Sequence, residues 1–175
     1  MARGSTYGFP RFETARFEAR FPLATVDLAD PAMPLTCRLS AWSPFLPGNA
    51  DDSSLPVAVL EYAFHNQTHE PVEAVFSFHA ANFMATRGGG DSVGAIEQGF
   101  LLRQTGSDEA SADEGAFSVT LLDPDARVDC AWFRGGWFDA ATILWRHIDS
   151  GDAVAKMKQG TIELARTVYT PYRAG

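Results

Sequence analysis

Positive charge is scarce in this 175-residue chain, where 14 Lys and Arg stand against 22 Asp and Glu for a formal net charge of -8. What there is gathers at the ends: Arg3, Arg11, Arg16 and Arg20 near the start, and Lys156, Lys158, Arg166 and Arg173 near the finish. The acidic middle repels phosphate, so nucleic acid and anionic membranes are poor partners, and a neutral substrate or a protein fits better. Cysteine is nearly absent. Cys37 and Cys130 each sit in an apolar alternating segment, which predicts free buried thiols rather than a disulfide framework. No apolar run approaches the ~18 residues that a membrane span needs. The opening MARGSTYGFPRF has no apolar signal-peptide core, so the expected compartment is the cytoplasm.

Several signatures of chemistry are missing as well. The run RGGGDSVG satisfies neither G-x-G-x-x-G nor the phosphate loop, which needs a lysine, so it reads as a plain loop. His65, His69 and His79 have no cysteine or acidic cluster at metal-ligand spacing beside them and read as surface and turn histidines. No metal and no cofactor is expected.

What is present is the composition of a folded domain, 46% hydrophobic, 12% aromatic and 21% charged. A single domain of this length buries roughly 70% of the surface of its unfolded chain. Period-two alternation marks half-buried strands. Phe17, Ala19 and Phe21 alternate with Arg16, Glu18 and Arg20, and Leu35, Cys37, Leu39 and Ala41 alternate with Thr36, Arg38 and Ser40. One dry face is expected on each. Residues 57–64 are apolar on nearly both sides, which suggests a central strand, and HNQTHEP reads as a turn that makes 57–79 a hairpin or meander. GFLLRQ, FSVTLL and VDCAWF follow as strands around the loops MATRGGGDSVGAIEQG and TGSDEASADEGA. Near Asp139 the period changes to helical: Ala140, Ile143, Leu144, His147 and Ile148 share a face, with Asp139 to cap the start and Gly151 to end it. Seven or eight strands and one short helix near the C-terminal end predict a mostly β protein, an antiparallel β-sandwich.

Two clusters are candidates for function. The first is SPFLPGNADDSSLPV, with Ser43, Pro44, Phe45, Asp51, Asp52, Ser53, Ser54 and Pro56. Glycoside hydrolysis needs two carboxylates roughly 5 to 10 Å apart, and sequence spacing does not fix such a separation. Asp51, Asp52, Glu61 and Asp139 are therefore read as structural, the short side chains of the loop bonding local backbone. The second cluster is aromatic: Trp132, Phe133, Trp137, Phe138 and Trp145. Core packing is the expected role, although exposed Trp132 and Trp137 would stack on sugar rings as in a stand-alone carbohydrate-binding module.

FPLATVDLADPAMPLTCRLSAWSPFLPGNADDSSLPVAVLEYAFHN, then FSFHAANFM and GGWFDAATILWRHIDSGD, resembles the N-terminal domain of glycoside hydrolase family 116, which contains non-lysosomal glucosylceramidases and microbial β-glucosidases. The S-P-F-x-P loop joined to D-D-S-S-L-P-V-A carries most of it. The resemblance implies an N-terminal β-sandwich that supports a C-terminal (α/α)6 domain, with the Glu nucleophile and Asp acid/base in the helical part. No catalytic residue is thereby carried onto this chain. The expected function is a non-catalytic domain, inactive alone, with its catalytic partner in cis or in trans. The 43–56 loop is a structural hinge or a domain interface.

The resemblance covers residues 10–151. Residues 1–9 are expected as a flexible N-terminus and 152–175 as a divergent basic tail, without the family's Gly-rich opening or its remaining sandwich strands. A sheet short of strands leaves an open edge, which favours a homo-oligomer.

Overall fold

The structure, a computed structural model, describes residues 9–85, 92–106, 111–124, 126–130, 140–150 and 165–174. The protein is mostly β, with antiparallel sheets and few, short helices. Ten strands lie among the described residues, more than the seven or eight expected: β1 (Thr14–Arg20), β2 (Leu23–Ala29), β3 (Leu35–Trp42), β4 (Val59–Asn66), β5 (Val72–Ala81), β6 (Ser92–Ile96), β7 (Gly99–Gln104), β8 (Gly115–Thr120), β9 (Arg127–Asp129) and β10 (Ala165–Ala174). Helices α1 (Ala50–Ser53) and α2 (Ala140–Asp149) and a 3-10 turn over Ser111–Asp113 complete them. The chain forms two compact units, built mainly on residues 8–74 and 75–172.

The first unit is an antiparallel meander in the order β1–β2–β3–β4. A two-residue turn with a cis Phe21–Pro22 bond joins β1 to β2 and sets Arg20 opposite Leu23. From there the register aligns Phe17, Val26, Leu39 and Tyr62 in one row across the sheet. Ala15, Leu28, Cys37 and Phe64 form the row on one side of it, and Ala19, Ala24, Ala41 and Leu60 the row on the other. Side chains opposite one another share a face, so these rows make one apolar face. The intervening rows are polar, as in Arg16–Asp27–Arg38 and Glu18–Thr25–Ser40–Glu61. Arg38 donates to both carboxylate oxygens of Asp27, and this guanidinium holds the Asp27 carboxyl below its ordinary range.

Three expectations change here. The alternation of β1 is real, but neither of its faces is dry: all seven residues are exposed, Phe17 at 67%. β4 is an edge strand, not a central one, because β3 is its one neighbour among the described residues. β4 and β5 do not form a hairpin, since β5 belongs to a second sheet ordered β5–β10–β9. The turn between them is built from Asn66, whose amide donates to the Glu70 carbonyl and whose Oδ1 accepts from the Thr68 N–H. Asn–x–Thr geometry of this kind ends a strand without requiring that the next one pair with it.

The second unit holds that sheet and another, β6–β7–β8. Within it Phe100 and Leu102 of β7 are wholly buried. Val93 and Val119 flank them on β6 and β8, and Phe78 and Ala80 of β5 with Val128 of β9 pack on them from the other sheet. Two sheets thus close on one apolar seam, in the layered manner of a β-sandwich. The Phe78 and Phe100 rings stack at 6.4 Å. The stretch read as a Gly-rich loop supplies β6, and Ala165–Ala174 of the expected basic tail supplies β10, between β5 and β9. Gly99 begins β7 where a Cβ would collide with the Val119 carbonyl oxygen, so only glycine lets β8 approach.

Buried Asn82 fastens the open end of the β6–β7 ladder. Its amide donates to the carbonyls of Arg103 and Ser92, a cross-strand pair, at 3.2 and 3.4 Å, and its oxygen accepts from the Met84 N–H. Helix α2 forms as its apolar period requires, with Leu144 buried; Asp139 and Gly151 lie outside the described residues. No disulfide joins Cys37 and Cys130; Cys37 is buried as expected and Cys130 half-buried, and burial pushes the Cys37 thiol up.

Leu102→Ala leaves a cavity at a fully buried site and is expected to cost about 2–5 kcal/mol, whereas Leu122→Ala, at a side chain 96% exposed, stays within ~0.5 kcal/mol. Urea unfolding of the two variants measures both.

Candidate domain interface

The 43–58 segment leaves β3 at Trp42 and returns to β4 at Val59, which are paired across the sheet. Its first half is a tight turn. Pro47 supplies a fixed φ and Gly48 a left-handed one, φ 83°, and the Asn49 N–H donates to the Leu46 carbonyl at 3.0 Å. Proline followed by glycine with positive φ is the requirement of a type II turn.

Asn49 then caps α1. Its Oδ1 accepts from the Asp52 N–H at 3.1 Å, and its Nδ2 donates to the Asp52 carboxylate at 2.6 Å, a reciprocal arrangement like a capping box. Ser53 ties the two halves together. Its Oγ accepts from the Leu46 N–H at 3.0 Å, and its one proton is shared between the carbonyl oxygens of Asn49 (2.6 Å) and Leu46 (3.1 Å). Ser54 Oγ donates to the Asp51 carbonyl at 2.9 Å. The exit turns at Pro56, where the Val57 N–H donates to the Leu55 carbonyl at 2.8 Å.

The polar side chains of the loop are thus largely taken up by its own backbone. Asp52 serves the cap, while the Asp51 carboxylate is exposed and has no partner among the described residues. Glu61 lies on β4, exposed on the polar face of the sheet. The apolar side chains do the opposite. Phe45, Leu46, Leu55 and Val57 are all exposed, and Phe45 meets Phe21 of the β1–β2 turn edge-on with centroids 4.7 Å apart. Phe21 is 80% exposed. Of the remaining candidates in the loop, Ser43 and Pro56 are exposed and Pro44 is half-buried. Apolar side chains are thus held outward on a frame fixed by polar ones.

Phe21 and Asn49 were not among the functional candidates read from sequence, where Phe21 was expected only on the dry face of the first strand. Asn49 had a readable signal, since Asn directly before Ala-Asp-Asp is a helix N-cap pattern. Phe21 had none, because its partner lies 24 positions along the chain. Trp132 and Trp137 lie outside the described residues, as do Phe133, Phe138 and Asp139.

His65 and His69 are exposed, whereas His79 is half-buried on β5 with Nε2 2.8 Å from the Ser77 Oγ. Among the described residues no three His, Cys, Asp or Glu side chains gather as a metal site, and no helix is long and apolar enough to cross a membrane.

The sequence profile of the family described as "beta-glucosidase 2, glycosyl-hydrolase family 116 N-term" matches residues 4–167. The chain belongs to this family of glycoside hydrolase N-terminal domains. The match extends past residue 151, into β10. No curated protein matches the chain.

Ser53→Ala and Asn49→Ala are each expected to destabilise the protein by about 1 kcal/mol, and Asp51→Ala by less than ~0.5 kcal/mol. Thermal melts of the three variants test this order. Burial lowers the His79 imidazole from 6.5 to about 4. Between those values the unfolded chain binds the extra proton, so the contribution of His79 is complete above pH 6.5 and falls as pH drops toward 4, by up to about 3 kcal/mol. His79→Asn should flatten the pH dependence of unfolding free energy in that window.

Proposed function

We propose that the chain is a non-catalytic β-sandwich domain of a β-glucosidase- or glucosylceramidase-like glycoside hydrolase, and that it supports the (α/α)6 catalytic domain implied by its family, joined in cis or supplied in trans. The observation that carries this reading is the division of labour in the 43–58 loop: its polar groups hold the loop, and its apolar groups face outward with Phe21. A loop whose carboxylates served catalysis would have the reverse arrangement, with acids converging on a cleft and rings packed beneath them. Ser43, Pro44, Phe45, Asp51, Asp52, Ser53, Ser54 and Pro56 form the frame of the interface, and Phe21 and Phe45 are its contact residues.

Two cysteines not joined in a disulfide, Cys37 and Cys130, fit a reducing, cytoplasmic setting. The acidic net charge fits a protein partner better than nucleic acid. Strands β1 and β4 at the ends of the first sheet also favour self-association.

The test is an assay with an aryl β-glucoside. The purified chain should release no aryl alcohol by itself. It should bind a separately produced family 116 (α/α)6 domain, and Phe21→Ser with Phe45→Ser should weaken that binding at least tenfold while leaving the melting temperature nearly unchanged. Hydrolysis by the chain alone would overturn the proposal, as would binding indifferent to the two rings.

A further inference from the structure

β1 is an edge strand whose seven residues are all exposed, and no described strand pairs with its outer side. Alternate residues of such a strand turn N–H and C=O groups away from the sheet, ready to pair with another strand. The strand is protected by neither proline nor a described bulge. Its charges are arranged about its midpoint: Arg16 and Glu18 flank Phe17, and Thr14 and Arg20 are the ends.

We infer that β1 is a self-pairing edge, where two copies of this chain join antiparallel about a two-fold axis at Phe17 to make one continuous eight-stranded sheet. In that register Arg16 of each copy faces Glu18 of the other, Phe17 faces Phe17, and Thr14 faces Arg20, so the whole strand is used. Sliding the centre to Glu18 sets Glu18 against Glu18 and Arg16 against Arg20, which is repulsive. Sliding it to Ala19 leaves only the three residues from Glu18 to Arg20 within both strands. Charge and overlap therefore select the same register.

The side chains are available for this. Arg16 has no ion-pair partner within 4.0 Å among the described residues and lies across from Asp27, which Arg38 already holds. Glu18 meets Arg20 at 2.9 Å, but both side chains are open to solvent at 49% and 84%, a pairing easily shared or exchanged. On the other face the Phe17 rings would meet at the axis and extend the row formed by Phe17, Val26, Leu39 and Tyr62 into the second copy. Phe17, two-thirds exposed in the single chain, would be covered. Opposed aromatic and opposite-charge pairs are the contacts that stabilise antiparallel strands.

Sedimentation equilibrium of the intact chain and its charge variants tests the pairing. The chain should form a concentration-dependent dimer. Arg16→Glu alone and Glu18→Arg alone place like charges opposite each other twice and should each weaken it about tenfold or more. Arg16→Glu and Glu18→Arg combined in one chain should restore the homodimer. An equimolar mixture of the two single variants should form a mixed dimer, with Arg16 and the introduced arginine of one chain facing Glu18 and the introduced glutamate of the other. That rescue cannot arise from misfolding of either variant. A protein that stays monomeric at every accessible concentration overturns the inference, and a dimer unaffected by these charges overturns it equally, since it would use a different surface.

Discussion

The antiparallel register of β1 to β4 is the constraint on which the rest of the first unit depends. Side chains alternate with period two, so a slip of one residue would exchange the Phe17–Val26–Leu39–Tyr62 row with Arg16–Asp27–Arg38 and move every apolar group to the polar face. Two local devices hold the register in place. The Phe21–Pro22 turn sets Arg20 opposite Leu23, and Arg38 grips both oxygens of Asp27 across the next pair of strands. Because that ion pair is exposed it adds little to stability. Its use is in geometry, because it forms only when residues 27 and 38 are opposite.

From that register follows the position of the family loop. With Trp42 and Val59 paired, residues 43–58 must leave and re-enter the sheet at neighbouring points, and they do so by a type II turn, a cap and a single shared hydroxyl. Small polar side chains suit this task, since they bond the nearest backbone groups and need no support from a core. Once they are engaged in this way, the larger apolar side chains are left outside. The run of aspartates and serines that looks like a reaction centre in one dimension is a clasp in three.

Much of this was legible in the sequence. The alternation in LTCRLSAW gave β3 its buried Leu35 and Cys37, the change of period after Asp139 gave α2, and the local chemistry of Asp, Ser and Pro gave a structural loop. The errors share a cause. Alternation says which residues share a face but not whether anything covers that face, so Phe17 was expected dry and is open. Apolar composition on both sides of residues 57–64 suggested a central strand, yet neighbours in a sheet are set by long-range pairing, and β4 has one. A turn such as HNQTHEP fixes where the chain bends and leaves open whether the next strand joins the same sheet. The pairing of β10 with β9, from opposite sides of α2, has no local signature at all.

The central claim is that the 43–58 loop is a preformed frame for a protein contact and has no part in sugar chemistry. Amide hydrogen exchange tests it most directly, followed at Asp52, Ser53 and Ser54 and around Phe21 and Phe45. The account predicts measurable protection of the three loop amides in the isolated chain, further protection on adding the (α/α)6 domain, and no change on adding a glucoside alone. Protection that appears with glucoside in the absence of any second domain would contradict it, and would return the aspartates of this loop to the sugar.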